Sequence, residues 1–142
     1  MNLTFSDGGR AAAGYIGTTG DCVTRAIAIA TEKPYQEVYD ALNELAKTER
    51  TGKRKTKISN ARTGVYCTSY ERYLGLLGWT WKPTMTIGSG CKVHLKAEEL
   101  PTGRLIVKVS KHLVAVIDGT IFDTHDPSRN GTRCVYGYWF KT

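Results

Sequence analysis

The chain of 142 residues contains no apolar run approaching the length of a membrane span. Its N-terminus, MNLTFSDGGR, has neither a basic n-region nor an apolar h-region. Both absences point to a cytoplasmic protein without a membrane partner. No internal repeat, linker or low-complexity stretch divides the chain, so the expectation is one domain over residues 1–142, long enough to bury a core. The four cysteines, Cys22, Cys67, Cys91 and Cys134, contain no CxxC pair, which argues against a zinc knuckle and against a redox dithiol. In a reducing compartment all four read as thiols. Acidic residues are scarce between Ala46 and Arg62, where Glu49 alone stands against Lys47, Arg50, Lys53, Arg54, Lys55, Lys57 and Arg62. That one stretch carries a net +6 of the chain's +7. It reads as a solvated loop or as an anion-binding patch.

What is present begins with GTTGDCVTRAIAIAT, residues 17–31. Val23, Ala26, Ile27 and Ala30 recur at helical spacing, so a helix starts near Cys22 with Thr19 or Asp21 as its N-cap. A thiol at a helix N-terminus faces partial positive charge and unpaired amides, which favour the thiolate. The alternative for Cys22 is a small buried hydrophobe of a core helix. A second helix begins at Pro34, with Thr31 nearby as cap, and Tyr35, Val38, Leu42 and Leu45 line one face to about Lys47. A third runs from Cys67 to Leu77 and stops at Gly78. WTWKPTMTI alternates like a strand, a short helix over Lys96–Leu100 is open, and β structure follows in RLIVKVS, HLVAVI, TIFDTH and RCVYGYWF. Residues 1–20 read as irregular. Helices first and strands after them indicate an α+β fold with an antiparallel C-terminal sheet. Tyr35, Tyr73, Trp79, Trp81, Tyr138 and Trp139 read as packing aromatics.

Asp118-Gly119 between alternating runs is a hairpin signal. It sets Ile117 opposite Thr120, Val114 opposite Asp123 and His112 opposite His125. His112 and Asp123 then share one face as diagonal neighbours. An imidazole beside a carboxylate is held in one tautomer and stabilised when protonated, the orienting pair that a nucleophile requires. The alternatives are a surface histidine at a strand end and a turn-forming acid before Pro127. Asp126 is a reserve partner if the register slips. His94 lies far from any comparable partner and reads as surface.

Cysteine at a helix start, then histidine opening a strand, then aspartate on the next strand, resembles the order of the papain-like cysteine peptidase superfamily. GDCVTRAIAIAT resembles its nucleophile helix, and KHLVAVIDGTIFDTHDP the His-then-Asp hairpin of its compact bacterial and viral members. The resemblance implies a papain-like fold, with helices packed on the sheet. It also implies a hydrolase with Cys22 as nucleophile, His112 as general base and acid, and Asp123 as orienter, acting on a peptide or other amide through a thioester and needing no metal and no organic cofactor. Papain relatives often carry a Gln just before the cysteine for the oxyanion hole, whereas Ile16 stands here. The replacement donors are the Cys22 amide and the hydroxyls of Thr18 or Thr19. Asp21 is an acceptor when ionised and opposes a neighbouring thiolate. The competing reading is a weakly active or inactive papain-like scaffold that binds nucleic acid or an acidic protein through its basic 46–62 loop. Lys53, Arg54, Lys55, Lys57 and Arg62 would make its phosphate contacts. In a third reading the same loop is a flap that selects acidic substrates.

Overall fold

The computed structural model describes residues 1–15, 20–49, 58–62, 64–86 and 88–141. Its elements are β1 (Asn2–Phe5), α1 (Cys22–Thr31), α2 (Tyr35–Ala46), α3 (Cys67–Leu76), β2 (Thr80–Pro83), β3 (Arg104–Val109), β4 (His112–Ile117), β5 (Thr120–Asp123) and β6 (Gly137–Phe140). A short 3-10 turn, Ala97–Glu99, occupies the place of the expected helix at 96–100. The fold is α+β, three helices packed on a mixed six-stranded sheet in the order β1-β5-β4-β3-β6-β2.

The alternation of β3, β4 and β6 sorts their side chains onto two faces. Ile106, Leu113, Ala115 and Trp139 pack with Val23, Ala26, Ile27, Val38, Leu42, Tyr73 and Leu74 beneath the helices. Leu105, Val107, Val109, Val114, Val116 and Tyr138 pack with Leu95, Leu100 and Val135 of the irregular segments covering the other face. Both faces are therefore buried, which is why these strands read as nearly continuous apolar runs. The expected aromatic packing is observed: Tyr35, Tyr73, Trp79, Tyr138 and Trp139 are buried, and Trp81 lies 5.4 Å from Trp139 between ring centres.

The sheet is not wholly antiparallel, because β1 pairs in parallel with β5. Residues 1–20 are correspondingly not all irregular. Leu3 and Phe5 of β1 are exposed, so backbone pairing at the sheet edge holds the strand, and no burial pattern betrays it. Thr31 closes α1 and returns its hydroxyl to the Ile27 carbonyl at 2.6 Å instead of capping α2, whose N-cap position is Pro34. Strand structure in WTWKPTMTI ends at Pro83.

The 112–125 hairpin has the register that its turn dictates. Ile117 pairs with Thr120, Val116 with Ile121 and Ala115 with Phe122. Asp118 and Gly119 both have positive φ (49° and 80°), the requirement of a type I′ turn. Asp118 Oδ1 also accepts from the Gly103 amide at 2.7 Å, tying the turn to the start of β3.

Candidate active site

The hairpin brings His112 and Asp123 together at one end of the sheet. His112 Nε2 is 2.6 Å from Asp123 Oδ2, and their side chains are only 10% and 3% exposed. With Nε2 engaged, Nδ1 is the ring nitrogen left for another partner. Cys22, at the first turn of α1, lines the same groove as His112 and interacts with it. The groove has a volume of about 600 Å³, and Gly20, Val65, Tyr70, Leu113 and His125 also contribute to it. The His125 ring lies 5.3 Å from that of His112.

The charges in this group support one another. Burial pushes the Cys22 thiol up, but the hydrogen bond with His112, its charge, the Leu113 amide and the charge of Arg25 outweigh burial and leave the thiol below its ordinary value. Burial pulls the His112 imidazolium down, yet its bonds to Asp123 and Cys22 and their negative charges push it up to about 9. Burial likewise raises Asp123. The His112 hydrogen bond and charge, the Thr124 amide and Arg25 reverse that and hold its carboxyl below the usual range. The arrangement favours a thiolate–imidazolium pair.

Asp21 does not face this thiol as a bare charge. Its carboxylate is buried and accepts from Arg25 Nη1, from Arg10 Nη1 at 3.2 Å and from the Tyr35 hydroxyl at 2.6 Å. Arg25 stands one turn further along α1 and donates its other arm to Asp123 Oδ1 at 3.3 Å. A chain of ionic contacts therefore runs Arg10–Asp21–Arg25–Asp123–His112. Gly8, at φ 70°, makes the approach of Arg10 feasible, because a Cβ there would sit 3.1 Å from the Arg25 backbone. Asp21 occupies the N-cap position of α1 but makes no side-chain cap, so it leaves the first-turn amides to other acceptors.

Other expected site residues fall elsewhere. Asp126 accepts from the Ser128 amide at 2.9 Å and makes no contact with His112, because the hairpin register does not slip. Thr18, Thr19, Lys53, Arg54, Lys55 and Lys57 lie outside the described residues. Arg62 is 6.0 Å from the Tyr15 ring centre. The described ends of the basic segment are fastened: Glu49 accepts from the Ser59 amide at 2.6 Å and the Ser69 hydroxyl at 2.5 Å, and the Ala61 carbonyl from Thr24 at 2.7 Å. Gly64 and Val65, just beyond, line the groove.

Sequence reasoning missed Arg25, Lys108, Lys111 and Cys67 at the site. Cys67 is a free thiol. It is exposed in the groove, 3.2 Å from the Tyr70 hydroxyl and 3.5 Å from Lys108 Nζ. The alternation of β3 could have placed Lys108, but nothing in the sequence ties Arg25 to Asp123, 98 positions away. Two further expectations are corrected. Cys91 and Cys134 form a disulfide, brought together by bridging of their two segments across 43 residues. His94 is half-buried rather than free on the surface, its ring set between Cys91 and Glu99.

No helix among the described residues is long and apolar enough to cross a membrane. No protein-family model, curated protein or solved structure matches this chain.

Proposed function

We propose that the protein is a cysteine hydrolase of papain-like type that cleaves a peptide or other amide bond in the cytoplasm. The observation that carries the reading is the buried 2.6 Å His112–Asp123 contact, which leaves the second ring nitrogen for Cys22 in one groove. Asp123 holds the ring, and Arg25 holds Asp123.

His112 and Cys22 share the thiol proton, with the ion pair favoured. The sulfur attacks the carbonyl carbon, a C–S bond forms, and the carbonyl electron pair moves to oxygen. Amides at the start of α1 stabilise that oxyanion, a contribution on the order of 3 kcal/mol for each donor. Collapse breaks the C–N bond while His112 gives its proton to the departing amine. Water then attacks the thioester as His112 accepts its proton. The second collapse releases the carboxylic acid and returns the sulfur with that proton.

The groove lining also indicates the substrate. Arg25, Lys108, Lys111, His112 and His125 contribute to it, and its described lining residues include no carboxylate. Substrates with an acidic residue near the cleaved bond fit this field.

The test is to incubate an amine-blocked peptide pool with wild type and with Cys22→Ala, and to map new N-termini by mass spectrometry. New termini that depend on Cys22, enriched in neighbouring Asp or Glu, are the expected result. Identical maps would remove the hydrolase reading and leave binding through the basic segment.

A further inference from the structure

We propose that Cys91, His94 and Cys134 form a binding site for one borderline-soft divalent cation of the Zn²⁺ type when the Cys91–Cys134 disulfide is reduced. The three residues stand in the segments whose Val93, Leu95 and Val135 cover the sheet face opposite the helices, and their ligand atoms fall within 4.8 Å of one another. Backbone pairing fixes the two segments that carry them. His94 bridges Cys134, the Leu95 amide donates to the Arg133 carbonyl at 2.9 Å, and the Val135 amide donates to the Val93 carbonyl at 2.8 Å.

Two observations point to a cation. His94 Nε2 lies 3.5 Å from Cys91 Sγ. A sulfur at ~2.3 Å and a nitrogen at ~2.0 Å from one tetrahedral zinc are separated by about the same distance. Independently, His94 Nδ1 is 3.2 Å from Glu99 Oε1. Nδ1–H donating to a carboxylate is the outer contact that fixes a metal-binding imidazole, and it leaves the Nε2 lone pair free. That lone pair faces a sulfur which, in the disulfide, has no proton to donate. The cluster of His112, Asp123 and His125 differs, because the Asp123 carboxylate is already engaged by His112 and Arg25.

Reduction by a phosphine, which ends as its oxide with oxygen from water, or by a dithiol, which ends as its own disulfide, supplies two electrons. The S–S bond breaks, and each sulfur takes a proton from water. Cation binding then displaces both protons to solvent and forms two metal–thiolate bonds and one metal–imidazole bond. The fourth tetrahedral position falls to water. Disulfide and metal are thus exclusive occupants of the same pair of sulfurs.

The test uses the full chain with Cys22→Ser and Cys67→Ser, so that only Cys91 and Cys134 can supply thiolates and a failure leaves the hydrolase reading untouched. The phosphine-reduced protein is titrated anaerobically with Co²⁺. One equivalent should bind, with thiolate-to-cobalt charge-transfer absorption and the visible bands of a tetrahedral site. The oxidised protein should show neither. His94→Ala and Glu99→Gln should each weaken binding about 10–100-fold. Far-ultraviolet circular dichroism follows the fold throughout. If reduction alone lowers the helical signal, one equivalent of Co²⁺ should restore it. Absence of the charge-transfer band, equal uptake by the oxidised protein, or full-affinity binding after His94→Ala overturns the proposal.

Discussion

Cys22, His112 and Asp123 in the groove, and Cys91, His94 and Glu99 in the segments beyond β2, each bring a cysteine sulfur, an imidazole and a carboxylate together, the first sulfur a free thiol and the second half of the Cys91–Cys134 disulfide. In the first, the His112 and Asp123 side chains are 10% and 3% exposed. In the second, the His94 and Glu99 side chains are 35% and 29% exposed. Near the surface, solvent screens the imidazole–carboxylate attraction, and such pairs contribute little. In the groove the same attraction lifts His112 to about 9 and holds Cys22 below its ordinary value. The carboxylates differ as well. Asp123 is backed by Arg25 and through it by Asp21, whereas Glu99 meets Lys96 Nζ at 3.9 Å on the exposed side. A thiolate–imidazolium pair is favoured only where the sulfur is free and where burial and a second tier of charges hold its partners.

The sharpest way to break this contrast is to remove its imidazole. His112→Ala should lower Cys22-dependent cleavage by about 10²–10⁴-fold, the usual contribution of a positioned general base. Asp123→Ala should lower it less. Kinetics on a substrate identified by terminus mapping would check both, and wild-type rates in His112→Ala would remove His112 from the chemistry.

Next in size is the second tier itself. Arg25→Met leaves two buried carboxylates short of a partner and should cost about 3–5 kcal/mol in urea unfolding. An unchanged midpoint would show that Arg25 is not what holds Asp123.

The pH dependence is smaller and has a definite sign. His112 is raised above its unfolded value of 6.5, so its contribution is complete below about that pH and is lost as pH rises through about 9. Cys22 is lowered from 9.0, so its contribution is present above that value and is lost as pH falls through its folded value. Cleavage should therefore show an alkaline limb near about 9, where His112 can no longer protonate the amine. In urea unfolding, the gap between wild type and His112→Gln should be wide at about pH 6 and close by about pH 10. A gap independent of pH would contradict the assignment.

The smallest expected effect is none. Glu99→Gln, at a half-buried residue of the second trio, should leave both stability and Cys22 reactivity within about 0.5 kcal/mol of wild type. A larger change would mean that the two settings communicate.

Much of the first setting is legible in the sequence because it is local. The apolar spacing after Cys22 marks α1, and Asp118-Gly119 fixes which residues of two strands face one another. The order of Cys22, His112 and Asp123 along the chain follows from those two elements. The second tier is not legible, since Arg25 meets Asp123 across 98 positions and Asp21 meets Arg10 and Tyr35 only once the chain has folded. Read alone, Asp21 threatens the thiolate; with Arg10, Arg25 and Tyr35 around it, it becomes part of the scaffold. The second setting is hidden for a related reason. Cys91 and Cys134 form no short motif, and only the bridge between His94 and Cys134 makes them neighbours. β1 escapes notice because its apolar residues are not buried.

Limiting iodoacetamide at about pH 6, followed by peptide mapping, tests the central claim most directly. Cys67 is the internal control: it is exposed in the same groove beside Lys108 but has no imidazole partner. The account predicts that Cys22 is alkylated well ahead of Cys67, and ahead of Cys91 and Cys134 after reduction, and that His112→Ala abolishes the preference. If Cys22 reacts no faster than Cys67, or keeps its lead without His112, the ion pair does not exist and Cys22 is a packing residue.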